Sequence, residues 1–142
     1  LLSSISNVPV RQSIACTGSV NQLGRVQAVG GVNDKIEGFY EVCRNRGLDG
    51  SHGVVIPRDN VKHLMLTEEI VEAVETGAFS IFAAHHIDEA IEILTGNTYG
   101  DRGSDDQFPE GSVNRKVEDQ LIHYARNRKS FLETTNGDKQ HE

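Results

Sequence analysis

The chain has 142 residues, 37% of them hydrophobic and 25% charged, with 14 basic against 21 acidic side chains and a net charge of -7. This is the length and composition of one compact folded domain, and the acidic balance argues against a nucleic-acid surface, which needs a basic patch. No apolar run approaches the roughly 18 residues of a membrane span, and no secretory leader pattern is visible.

The first element is "LLSSIS" (1–6), with Leu1, Leu2 and Ile5 at helical spacing. It reads as the last turns of a helix, without an initiator Met, so the chain is expected to be a fragment of something longer. "QSIACTGSV" (12–20) and "RVQAVG" (25–30) read as two strands around the turn "NQLG", a hairpin. Residues 33–46 read as a helix, because Ile36, Phe39, Tyr40 and Cys43 form one stripe at i, i+3, i+4 and i+7. Asn33 is its expected cap and Gly47 its stop.

"GVVIP" (53–57) is a continuous apolar run, as in a strand buried on both faces. "RDNVKHLML" (58–66) is a loop or short helical turn. "TEEIVEAVETG" (67–77) is a helix with acids in its first turn. "AFSIFAAH" (78–85) is a strand, and "HIDEAIEILTG" (86–96) a helix closed by glycine. Residues 12–96 thus run β-β-α-β-α-β-α, a mixed α/β arrangement. Residues 97–112 are a polar, acidic surface loop. Residues 113–131 carry Val113, Val117, Leu121 and Tyr124 in helical register, and 132–142 read as a frayed tail. Cys16 and Cys43 sit in apolar patterns and read as buried small hydrophobes in a reducing compartment.

Several motifs carry little chemistry. The pair His85–His86 lacks the i, i+4 partner that a helical metal site needs. "DRGSDDQ" lacks the register of a calcium loop. Ser3, Ser4, Ser6, Ser13 and Ser19 fall in no nucleophile motif, and neither "TGSVNQLG" nor "GGVNDK" has the register of a phosphate-binding loop.

Lys35 in "GGVNDKIEGF" is the unusual residue. Helix starts favour acids, because the N-terminal end of the dipole is partly positive. A lysine is a base only when its amine is neutral, which burial or a nearby positive potential favours. Asp34 and Glu37 stand close in sequence and favour an ordinary charged surface lysine. The residues alone leave both readings open.

"VPVRQSIACTGSVNQLGRVQAVGGVNDKIEGF" resembles the proteolytic domain of Lon-family ATP-dependent proteases. The matching features are "PVR", "TG" before a hairpin with "G-x-V", and "GG-x-x-x-K", followed by "GVVIP" and "EAIEILTG". The resemblance covers residues 1–96, with a flavour nearer the LonB-type, Lon-like bacterial proteins. It implies for residues 1–96 an α+β fold, a mixed sheet with packed helices (ribosomal protein S5 domain 2-like); the 97–112 loop and the C-terminal helix and tail over 113–142, read from the residues themselves, lie beyond the common domain.

The resemblance also implies a serine endopeptidase with a Ser-Lys dyad. Lys35 matches the catalytic lysine, and Thr17 a threonine that orients its amine. The nucleophilic serine belongs to a motif that would lie upstream of Leu1, so the chain alone is expected to be inactive. Unfolded polypeptides are the implied substrates. A homo-oligomeric ring, a hexamer, is the implied assembly, in the cytoplasm with no membrane or nucleic-acid role. The domain itself is expected to hold no cofactor or metal, and ATP and Mg belong to a separate ATPase module. The alternative is a non-catalytic Lon-like oligomerisation or binding module.

Overall fold

The computed structural model describes residues 1–137, and the side chains to Leu132. Among the described residues, five helices and five strands run in the order α1 (Leu2–Ser6), β1 (Ile14–Cys16), β2 (Ser19–Val20), β3 (Val26–Gln27), α2 (Val32–Arg46), β4 (Gly53–Pro57), α3 (Glu68–Glu75), β5 (Ser80–Ala84), α4 (Ile87–Thr95) and α5 (Val113–Gly137). A 3-10 helix, Arg58–His63, follows β4. The chain divides into two compact units, residues 10–96 and residues 1–9 with 97–142.

In the larger unit β1, β4 and β5 form a parallel sheet in that order, and β2 pairs antiparallel with β3. The central strand β4 is buried along its whole length, which is why its sequence is an unbroken apolar run. Its side chains alternate between two cores. Val54 and Ile56 pack with Ile36, Tyr40, Ile70 and Phe79, from α2, α3 and the residue just before β5. Val55 packs on the other face with Ile14, Ala84 and Ala90. The Tyr40 ring meets Phe79 edge-on at 5.3 Å, a favoured aromatic geometry. The result is an α+β fold, a sheet with packed helices.

The hairpin is shorter than its sequence suggests. The run 12–20 is not one strand: it divides at Thr17–Gly18 into β1, in the parallel sheet, and β2, in the antiparallel pair. Gly18, with φ +154°, makes the change of direction. Cys43 is buried, but Cys16 is exposed. It is the last residue of an edge strand, where the backbone leaves the core.

Asn33 does not cap α2. Gly31, in left-handed conformation at φ 64°, occupies that position. Asn33 instead donates to the His63 carbonyl and accepts from the Met65 amide.

In the smaller unit, Asn7 closes α1 in left-handed conformation. The Ser112 hydroxyl accepts from the Arg115 amide at the start of α5, as an N-cap does. Val113 and Asn114 donate backbone bonds to Thr98 and Tyr99, so the 97–112 loop is tied to that start. Arg102 stacks 4.3 Å from the Phe108 ring centre and pairs with Glu118 at 2.8 Å. The helix continues past 131 to Gly137, because no breaker intervenes; the part of the expected tail at 138–142 lies outside the described residues. Among the described residues no helix is long and apolar enough to cross a membrane.

Candidate active site

Thr17 and Lys35 lie on either side of the hairpin. Thr17 follows β1, and its amide donates to the Val55 carbonyl at 3.0 Å, extending the β1–β4 ladder by one residue. Its side chain is half-buried. With Cys16 and Gly18 it lines a cavity of about 100 Å³ whose other walls include Val26, Val55 and Ala84.

Lys35 sits in the first turn of α2 and is exposed. Its amide donates to Gly31 at 3.2 Å, an ordinary helical bond. Its Nζ donates to the Gly30 carbonyl, also at 3.2 Å. The side chain is thus folded back over the Gly-Gly pair. Thr17 and Lys35 are not hydrogen-bonded to each other, and the Thr17 hydroxyl has no hydrogen-bond partner among the described residues. Asp34 is exposed and Glu37 half-buried beside Lys35; Ile36, next in sequence, is fully buried and anchors the turn.

Two side chains to which the sequence gave no structural role hold this region. Asn60, buried in the 3-10 helix, accepts from the Val29 amide and donates to the Val29 carbonyl, both at 3.0 Å. Its amide therefore acts as a strand partner for the residue before Gly30. The only sequence signal is an asparagine shortly after a buried strand, which is too common to single out.

His86 ties the hairpin turn to α4. Its Nε2 lies 2.9 Å from the Leu23 carbonyl, and its Nδ1 lies 2.8 Å from Asp88 Oδ1. Backbone bonds from Val26 to His85 and from Ile87 to Gly24 reinforce the junction. The Leu23 hydrogen bond, followed by Asp88 and Glu89, raises the His86 pKa against the opposing effect of burial. Gly24 has φ 79°, and a Cβ there would lie 2.5 Å from His86 Nε2, so the turn needs glycine for both conformation and space.

At the far end of α2, Arg44 bridges Glu41 and Glu69, each at 2.7 Å. Hydrogen bonds from Arg44 lower the Glu69 pKa, while burial and then Glu69 raise that of Tyr40. These groups join α2 to α3.

Ser3 and Ser6 turn their hydroxyls onto backbone carbonyls of Val8 and Ser3, and Ser19 reaches Gln27. None of these three meets Lys35. What the two residues offer chemically is a primary amine at a helix start, held by a carbonyl, and a hydroxyl just past the end of β1.

A family model described as the Lon protease (S16) C-terminal proteolytic domain matches residues 1–96. A "Putative Lon protease homolog" of Escherichia coli (strain K12) is 53% identical over 94 residues, 66% of this chain and 16% of that protein. One of the same name from Haemophilus influenzae is 40% identical over 132 residues, 92% of this chain and 22% of that protein. An "Archaeal Lon protease" of Thermococcus kodakarensis is 33% identical over 93 residues, 66% of this chain and 13% of that protein. The chain thus spans a minor part of the length of these relatives.

Proposed function

The chain belongs to the Lon protease C-terminal proteolytic domain family, and we propose that it supplies the base of a Ser-Lys peptidase site in a longer protein. The observation that carries this reading is the Lys35 amine, folded back onto the Gly30 carbonyl at the start of α2.

A charged lysine has three N–H donors and no acceptor, whereas a neutral amine has two donors and one lone pair. In the proposed site one N–H of the neutral amine stays on the Gly30 carbonyl. The second goes to the Thr17 hydroxyl once the site is assembled. With both donors engaged, the lone pair has one remaining direction, and it faces a serine hydroxyl supplied from outside these 142 residues.

Lys35 takes the serine proton as the serine oxygen bonds to the peptide carbonyl carbon. The proton is then returned to the leaving amine as the C–N bond breaks. Water repeats the sequence on the acyl-enzyme ester and regenerates the serine. An extended substrate pairs by its backbone with an open strand edge, such as that of β2 beyond Thr17, which tolerates many side-chain sequences.

Unfolded polypeptides as substrates, delivery by an ATP- and Mg-dependent module elsewhere in the longer protein, assembly as a homo-oligomeric ring and a cytoplasmic setting belong to the same proposal. The 142-residue chain alone is then inactive.

A serine-directed covalent probe tests this reading. The longer protein labels at a serine upstream of Leu1, and Lys35→Ala abolishes the labelling. Labelling that persists in Lys35→Ala contradicts the dyad. Peptide cleavage unchanged by that substitution favours a non-catalytic Lon-like scaffold, or a different base.

A further inference from the structure

Gly30–Gly31 is the most pliable link in the path to Lys35, because glycine alone places little restriction on its own torsions. The carbonyl that holds the Lys35 amine belongs to the first of these two residues. Something outside the pair must fix where that carbonyl points.

The segment around the 3-10 helix does this from both sides. On the strand side, buried Asn60 grips the amide and the carbonyl of Val29 at 3.0 Å each. Val29 carbonyl and Gly30 nitrogen share one planar peptide, so this grip fixes the plane leading into Gly30. On the helix side, Asn33 is bonded to the His63 carbonyl and to the Met65 amide, at 3.2 and 3.0 Å. Residues 60–65 therefore form a splint across the two glycines. The Val29 bonds also settle the orientation of the Asn60 amide, since only one assignment of its oxygen and nitrogen satisfies both.

We infer that Asn60 is a positioning residue for the Lys35 amine, acting through the Val29–Gly30 peptide. Without its grip the Gly30 carbonyl swings with the glycine torsions, and one of the two hydrogen bonds that aim the amine lone pair is lost. Asn60 touches neither the substrate nor the reacting atoms. This inference rests on the assignment of Lys35 as the base.

The test is steady-state peptide cleavage by the longer protein carrying Asn60→Ala, Lys35→Ala or both. Asn60→Ala is expected to lower kcat about 10- to 100-fold, the usual effect of a small misplacement of a reacting group, with KM unchanged. The double variant is expected to be no slower than Lys35→Ala alone, because the two act as one unit. Asn60→Asp, which keeps an acceptor for the Val29 amide but loses the donor, also lowers kcat and serves if the alanine variant does not fold. A folded Asn60 variant with unaltered kcat overturns the inference. So does a rise in KM alone, or a further loss in the Lys35→Ala background. Full activity of Lys35→Ala by itself defeats the base assignment instead, so the two failures are told apart.

Discussion

The Nζ of Lys35 donates to the carbonyl of Gly30, five residues back, across 3.2 Å. This contact depends on the turn made by Gly31, the left-handed residue at φ 64° that starts α2. An alanine Cβ there would have room, its nearest neighbour being Asp34 Oδ2 at 3.6 Å. The cost of Gly31→Ala is therefore conformational, about 1–2 kcal/mol. A denaturant melt of the 142-residue chain should show a lower midpoint with an unchanged slope. An unaltered midpoint would mean that the helix start can be rebuilt without the left-handed residue.

Thr17 separates function from stability. Its hydroxyl has no hydrogen-bond partner among the described residues, so Thr17→Val should leave the stability of the chain within about 0.5 kcal/mol of its original value. In the longer protein the same substitution removes the hydroxyl proposed to orient Lys35, and kcat should fall about 10-fold or more. Paired thermal melts and cleavage rates check both halves. A valine variant that cleaves normally would remove Thr17 from the site.

His86 makes the hairpin junction sensitive to pH. A neutral ring donates from Nε2 to Leu23 and leaves Nδ1 to accept from the Asp88 amide at 3.5 Å. A protonated ring keeps the Leu23 bond and replaces that long contact with an ion pair to Asp88 Oδ1 at 2.8 Å. The folded-state pKa is raised, first by the Leu23 hydrogen bond. The extra stabilisation is thus fully present below the unfolded value of about 6.5 and is lost as pH rises through the folded value. Unfolding free energies of the original chain and His86→Ala should differ more at about pH 5 than at about pH 8. An equal difference at both would show that the ring acts only as a neutral cap.

Phe79 is the largest fully buried side chain, at 1% exposure. Phe79→Ala removes the edge contact to Tyr40 and opens the core between α2, α3 and β4. The expected cost is about 3–5 kcal/mol, measured by chemical denaturation. A cost under about 1 kcal/mol would imply that the core collapses around the gap.

The helices α2, α3 and α4 were legible because each buries one stripe against the sheet, and that stripe repeats at helical period in the sequence. The central strand β4 was legible as an apolar run for the same reason, since both its faces are covered. What the sequence hid was set by contacts distant along the chain. The first half of 12–20 is held in the parallel sheet by β4, whose Val55 carbonyl still takes the Thr17 amide, before Gly18 turns the chain into β2. Asn33 read as a cap but is drawn to His63 and Met65. Cys16 sits in an apolar pattern, yet an edge strand leaves it exposed. In the candidate site, Lys35 and Thr17 stood out through a family resemblance more than through their own pattern. Asn60 gave no periodic or motif signal, and His86 stood out only in a histidine pair without metal spacing, because each works by binding backbone atoms of a segment far away in sequence.

The central claim is that Lys35 is the base of a serine peptidase. Peptide cleavage by the longer protein, compared between the original form, Lys35→Ala and Lys35→Arg, tests it most directly. Arginine keeps a long basic side chain but stays protonated at working pH, so it has no lone pair with which to take the serine proton. The account predicts that both variants fold, and that both lose at least about a thousandfold in kcat, the scale of losing a base that activates a nucleophile. A folded Lys35→Arg or Lys35→Ala protein that retains most of its cleavage would contradict it.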